Sequence, residues 1–368
     1  MKYITKGGKV LGQGRDGCVI DKPILCSTNL DKNQYNDKVS KIIDISNIDP
    51  YEIEMFVQEF KTGDIFRKYD KNSHHFLPGL EMCYKKFHEL NNEQKKDITD
   101  CSYNDDDYES LYINIILKKG FSFDKIITKL DEINIFKSIA YSLKGIEKCV
   151  NDLSIMLLDI KPDNLLFVNN NNIIHPVFID FSNDFVIKNI NDFYDFLDSF
   201  DSYYDYWSLE ILSYFYQKLK NSNKISKMKS LANSIKTYRN IDITKIDTLK
   251  IYNYFNDVKL FSNQYKTFME KQMIFSIATS YDFSLINNKN YLNLNPKIRN
   301  LLNGMLNENY KKRFNLNDCL SLINEISKDY NISLVNRSDY LIDTNIKTKK
   351  TVIKSKPVIK KLFNNKNT

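Results

Sequence analysis

Apolar positions recur along this chain with two different periods, and the places where the period changes outline its elements. After Asp49-Pro50, the residues Ile53, Phe56, Val57 and Phe60 stand at helical spacing, which predicts a helix with a single apolar face. Asp49 supplies an N-cap, Pro50 suits the first helical position, and Glu52 follows three residues after the cap. Strands are predicted around 8–20, 38–43 and 112–117. Further on, Ile133, Phe136, Ile139, Leu143, Ile146, Val150 and Leu153 alternate at spacings of three and four, the stripe of a long buried helix. Leu165-Leu166-Phe167-Val168 and Pro176-Val177-Phe178-Ile179 are short apolar runs on either side of Asn169 to Asn172, which predicts a hairpin. Residues 88–110 are polar and aperiodic and read as an insertion between two strands.

Against this frame the chemistry-bearing residues fall into an ordered set. Leu11-Gly12-Gln13-Gly14-Arg15-Asp16-Gly17-Cys18-Val19 is a G-x-G-x-x-G-x-V turn, whose glycines would let backbone amides approach phosphates without an intervening Cβ. In Lys38-Val39-Ser40-Lys41-Ile42-Ile43, side-chain alternation puts Val39 and Lys41 on one face of a strand. Asp159-Ile160-Lys161-Pro162-Asp163-Asn164 comes just before the predicted hairpin, and Val177-Phe178-Ile179-Asp180-Phe181-Ser182 closes it, so the hairpin sets the spacing of two acids. Later come Asp205-Tyr206-Trp207-Ser208-Leu209 and Tyr310-Lys311-Lys312-Arg313-Phe314.

In their order and spacing these motifs resemble the eukaryotic-type serine/threonine protein kinases, over about residues 8–330. The resemblance implies an α+β, bilobal protein kinase-like fold: a small N-lobe sheet with one regulatory helix, and a mostly helical C-lobe. It divides the chain into an N-lobe over 1–120, with the insertion at about 88–110, and a C-lobe over 121–330, with an insertion at about 220–290. It further implies ATP and Mg²⁺ as cofactors and a protein as substrate. Asp159 would orient the attacking hydroxyl, Lys161 would neutralise charge on the moving phosphoryl group, and Asn164 with Asp180 would hold the metal. Leu11, Gly12, Gln13, Gly14 and Gly17 would cover the nucleotide, and Lys41 would hold its α- and β-phosphates. Val19, Val39 and Leu166 would sandwich adenine, an apolar role that core packing explains equally well. The adenine edge would meet backbone at Lys118-Lys119-Gly120. The regulatory helix must bring a glutamate to Lys41; Glu59 is chosen over Glu52, occupied at the cap, and over Glu54. The alternative is that Glu59 is a solvated helix acid.

The motifs also depart from the family pattern. Leu157-Leu158 stand where His-Arg precedes the catalytic aspartate, which implies independence from activation-loop phosphorylation, with Leu157 packing against Phe181. Ser182 replaces a glycine, and no A-P-E follows, so Arg313 is left without its family partner; Asp192 or Asp195 is the candidate substitute. Three readings result: an active serine/threonine kinase, a pseudokinase scaffold that binds partners without transfer, and a small-molecule kinase, against which the Trp207 motif argues.

Composition changes the picture in three ways. Alanine occurs only at 140, 232 and 278 while Lys, Asn, Ile, Tyr and Phe abound, the usage of an AT-rich genome. With the degenerate motifs, this makes the chain similar to the kinases of large nucleocytoplasmic DNA viruses, an AT-rich protist being the rival source. Secondly, the formal charge of +7 is a tail property: residues 347–368 carry eight lysines and no acid, leaving the other 346 residues at −1. The segment 331–368 is therefore expected to be a basic, disordered tail, either simply solvated or in contact with nucleic acid or another polyanion. Thirdly, six cysteines show no C-x-x-C spacing, so reduced thiols and no zinc are expected. No apolar run approaches the ~20 residues needed to span a bilayer, and the first residues lack a signal-peptide core. No membrane contact and a cytoplasmic location, host cytoplasm or virion if viral, are expected.

Overall fold

Period-two alternation in two adjacent strands gives the sheet two buried faces. In the computed structural model, which describes residues 10–13, 17–27, 35–101, 109–170, 173–181, 184–186, 206–208, 210–212, 226, 229, 265–286 and 294–343, the fold is α+β with a small antiparallel sheet. Strands β1 (Val10–Gln13), β2 (Cys18–Ile20), β3 (Lys38–Asp44), β4 (Glu81–Lys86) and β5 (Leu111–Lys118) lie in the order β1-β2-β3-β5-β4. From β3 and β5, Ile43, Ile113 and Ile115 point to one side and meet Ile53, Phe56 and Phe60 of helix α1 (Pro50–Tyr69). Ile42 and Tyr112, one residue out of phase, point to the other side with Cys18 and Ile20. Helix α1 starts where Asp49 accepts a hydrogen bond from the Tyr51 N–H and Pro50 takes the first position.

The second face is covered by residues of the expected insertion between two strands, which carry a helix. Helix α2 (Asn92–Asp100) starts from an Asn91–Gln94 capping box, and Leu90 and Ile98 bury against β2. Its periodicity was hidden because a few apolar residues suffice when a sheet face is waiting. The cysteine expectation is corrected here too. Cys18 is bonded to Cys101 and Cys26 to Cys83, across Cα separations of 5.9 and 5.6 Å, while Cys149 and Cys319 are buried thiols. Strand pairing brings these residues together from 83 and 57 positions apart, which no local spacing reveals.

Beyond the sheet come β6 (Phe121–Ser122), α3 (Phe123–Ile127), α4 (Glu132–Lys148), β7 (Ile155–Leu157), β8 (Leu165–Asn170), β9 (Ile173–Phe178) and β10 (Asp184–Val186). They are followed by α5 (Tyr265–Ile286), α6 (Pro296–Met305), α7 (Leu316–Asp329) and β11 (Ile342–Asp343). The stripe on α4 is buried from Phe136 to Val150, Ile133 alone standing at the surface, and the helix unwinds through a π-turn into left-handed Ser154. The β8–β9 hairpin is longer than predicted, pairing Leu165 with Phe178 through to Asn170 with Ile173.

Two boundaries also shift. Within the expected insertion at 220–290, α5 is a core helix, with Met273, Ile274, Ile277, Ala278 and Tyr281 fully buried; apolar residues on every side mark it as interior. Residues 331–343, counted with the tail, include β11, which pairs with β9, and bury Tyr340 and Ile342. The later lysines had dominated that composition. Residues 344–368, including the eight tail lysines, lie outside the described residues. Among the described residues, no helix is long and apolar enough to cross a membrane.

Candidate active site

Two polar clusters meet at Asp180. The first joins β3 to α1: Lys41 Nζ lies 3.2 Å from Glu59 Oε1, both side chains largely buried. Of the other helix acids, Glu54 pairs instead with Lys61 at the surface, and Glu52 is exposed. The second cluster sits at the start of the β8–β9 hairpin. Asp159 Oδ2 accepts from Lys161 Nζ at 2.7 Å and from Asn164 Nδ2 at 2.8 Å, and the same amide nitrogen donates to the Asp159 carbonyl at 2.9 Å.

Backbone pairing brings the clusters together. Strand β10 runs antiparallel to β7, pairing Asp184 with Leu157, while the Ile179 N–H donates to the Asn164 carbonyl at 3.0 Å. Asp180 follows directly, with a left-handed φ of 60°. Phe181 stacks on Phe66 of α1 at 4.3 Å, two helical turns beyond Glu59, so one helix face receives both the aromatic ring and the carboxylate.

Electrostatics records this convergence. Burial raises the Glu59 carboxyl to about 7; Lys41 opposes the rise, and the nearby Asp180 carboxylate adds to it. Burial also raises the Asp159 carboxyl, against Lys161, with Asp180 again pushing upward. Asp180 thus bears on both clusters, each of which sets a carboxylate beside a lysine. Among the described residues no three His, Cys, Asp or Glu side chains form a metal-holding group.

The loop carrying Asp159 is held from behind. Trp207 Nε1 donates to the Leu158 carbonyl at 2.6 Å, and Met273 Sδ accepts from the Leu157 N–H at 3.3 Å. Leu157, Leu158 and Phe181 are all buried in the same apolar core. Arg313 has an acidic partner in Glu210; Asp192 and Asp195, the expected substitutes, lie outside the described residues. Its Nη2 makes 3.1 and 3.0 Å bonds to both Glu210 carboxylate oxygens, and its Nε donates to the Asn307 carbonyl at 2.9 Å. Glu210 was overlooked although it directly follows Trp207-Ser208-Leu209; sequence distance from 313 concealed it.

The remaining expected residues are spread over the sheet and its exit. Val19 pairs with Lys41 across β2 and β3, and Val39 lies two residues before it on the same face of β3. Leu166 lies in the other sheet against Gly120, where a Cβ would come within 2.8 Å of its side chain; glycine is required there for packing. Gly17 also needs to be glycine, because a Cβ would lie 2.9 Å from the Ile42 carbonyl. Gly12, by contrast, borders open space, and Leu11 beside it is 44% exposed. Gly14, Arg15, Asp16, Ser182, Asp205 and Leu209 lie outside the described residues. No protein-family model matches the chain, and no curated protein matches it.

Proposed function

We propose that this protein is a bilobal, protein kinase-like enzyme that transfers the γ-phosphoryl group of ATP to serine or threonine hydroxyls of proteins. The observation that carries the reading is the convergence on Asp180: a buried Lys41–Glu59 pair on one side, and the Asp159–Lys161–Asn164 cluster on the other. Such chemistry consists almost entirely of positioning and charge neutralisation, and each role has a residue here.

Lys41, oriented by Glu59, binds the α- and β-phosphates. Asp180 and the Asn164 amide oxygen would hold Mg²⁺, the Asn164 nitrogen being turned toward Asp159. An ion held there would supply charge neutralisation for the phosphate oxygens. Asp159 accepts the hydrogen bond of the incoming hydroxyl, and its raised pKa strengthens it as a base. Lys161, 2.7 Å from Asp159, neutralises charge on the moving group. With Leu158 buried where a phosphate-binding arginine stands in the related pattern, activity proceeds without activation-loop phosphorylation. The basic tail, and a polyanion contact through it, belong to the same proposal.

The test is Mg²⁺-dependent transfer of labelled γ-phosphate to generic protein substrates, with Asp159→Asn as control. Transfer should disappear in the variant while ATP binding persists, since positioning and binding are separate duties. Equal labelling by both proteins would falsify the assignment, and phosphotyrosine as sole product would remove the serine/threonine claim.

A further inference from the structure

The strand hairpin bearing the glycine-rich turn is tied at its last rung to one residue of helix α2's C-terminus. Gln13 and Cys18 are directly opposite one another in the β1–β2 register, the final pair before the turn. Both reach Cys101: Gln13 Nε2 donates to the Cys101 carbonyl at 2.7 Å, and Cys18 is disulfide-bonded to its sulfur. Cys101 is itself fixed, capping α2 with its N–H on the Ile98 and Thr99 carbonyls and lying fully buried beside Ile98 and Leu90. A further tie runs from Lys22, just past β2, to Glu93 at 2.5 Å.

We infer that Cys101 is a positioning residue for ATP: it clamps both strands of the hairpin, so that segment 88–101 sets where the glycine-rich turn begins over the nucleotide. The inference rests on the kinase reading above and adds a role for residues that had none. A hairpin held at one rung by a covalent bond and a hydrogen bond has less freedom to lose when a ligand orders it. Releasing the clamp should therefore weaken binding without touching the groups that act on the phosphoryl group. The second disulfide, Cys26–Cys83, joins the same sheet elsewhere, tying the chain after β2 to β4. It provides the internal comparison.

The experiment compares full-length wild type with Cys18→Ala/Cys101→Ala and with Cys26→Ala/Cys83→Ala, the latter before and after reduction, reading kcat and KM for ATP in the transfer assay and the ATP Kd by calorimetry. Non-reducing peptide mapping of wild type establishes which cysteines are linked. A linked Cys18–Cys101 peptide is expected, with KM and Kd for ATP raised about three- to tenfold in the Cys18/Cys101 variant and kcat within about twofold of wild type. The Cys26/Cys83 variant should keep the wild-type KM although it too loses one cross-link. If the Cys18/Cys101 variant fails to fold, reduction of the Cys26/Cys83 variant, whose remaining disulfide is Cys18–Cys101, decides instead: about a threefold rise in KM on reduction supports the clamp and an unchanged KM overturns it. Free thiols at Cys18 and Cys101, or equal KM changes in the two disulfide variants, overturn it as well. A wild type that binds no ATP overturns the kinase reading and this inference together; one that binds and transfers while the variants behave alike overturns this inference alone.

Discussion

Replacing Glu59 by glutamine should make the folded protein more stable and the proposed phosphoryl transfer slower, and the stability gain should depend on pH in a defined direction. Burial lifts the Glu59 carboxyl from 4.5 to about 7, so the folded chain holds a proton that the unfolded chain releases at lower pH. A folded-state pKa above the unfolded one contributes stability that is complete below about 4.5 and is lost as pH rises through about 7. The loss amounts to about 3 kcal/mol. Glutamine mimics the neutral acid and has nothing to titrate. Wild type and Glu59→Gln should therefore be similar in urea unfolding near pH 5, and the variant should lead by about 3 kcal/mol near pH 8. Activity should move the opposite way, because Lys41 loses its ionic partner at 3.2 Å. Magnesium with ATP offers a further check: a cation beside Asp180 offsets the carboxylate that pushes Glu59 upward, so the pH-dependent gap should narrow. A gap that stays constant between about pH 5 and about pH 8, or that widens toward acid, would refute the reasoning.

Other perturbations have equally definite outcomes. Glu210→Ala leaves the fully buried Arg313 guanidinium without its carboxylate and should cost about 3–5 kcal/mol in urea unfolding. Adding Arg313→Leu should recover part of that loss, and a double variant no better than the single one would show that the pair is not coupled. Burial, chiefly, lowers His75 to about 3 and His175 to about 4, both from 6.5. Their folded-state pKa values are depressed, so the stability they contribute is present above about 6.5 and lost as pH falls toward 4. His175→Phe should thus flatten acid destabilisation between about pH 6.5 and 4 by about 3 kcal/mol, measured as the pH dependence of the urea midpoint; an unchanged profile would contradict it. Lys41→Ala should reduce phosphoryl transfer by orders of magnitude and Glu59→Ala by less, since on the proposed reading Lys41 would hold phosphate and Glu59 would orient the lysine; steady-state kinetics of the two variants decides, and the reverse order would displace Lys41 from its role.

What could be read in the sequence was whatever is encoded locally. A capped helix with a four-residue apolar face fixes its own rotation, and that rotation carries Glu59 toward Lys41 without further information. Asp159 and Asp180 could be related because a short hairpin lies between them and hairpins have few geometries. The relations that escaped are those made by packing distant segments. Cys18 and Cys101 meet only because α2 lies across the sheet, and α2 was missed because Leu90 and Ile98 are too few to show a period. Glu210 meets Arg313 across 103 positions. Residues 331–343 read as tail because composition averages over a window, whereas β11 needs only Ile342 and its neighbour to add an edge to β9.

The left-handed backbone at Asp180 filters which mutations can persist there. A φ of 60° is comfortable for glycine, tolerable for asparagine and aspartate, and costly for almost any other side chain. Asparagine is one nucleotide change away from aspartate and keeps the shape while removing the charge. Drift at this position therefore has an easy exit from chemistry that leaves the architecture untouched. On the proposed reading, a lineage could lose transfer at this position and keep the scaffold by one base change.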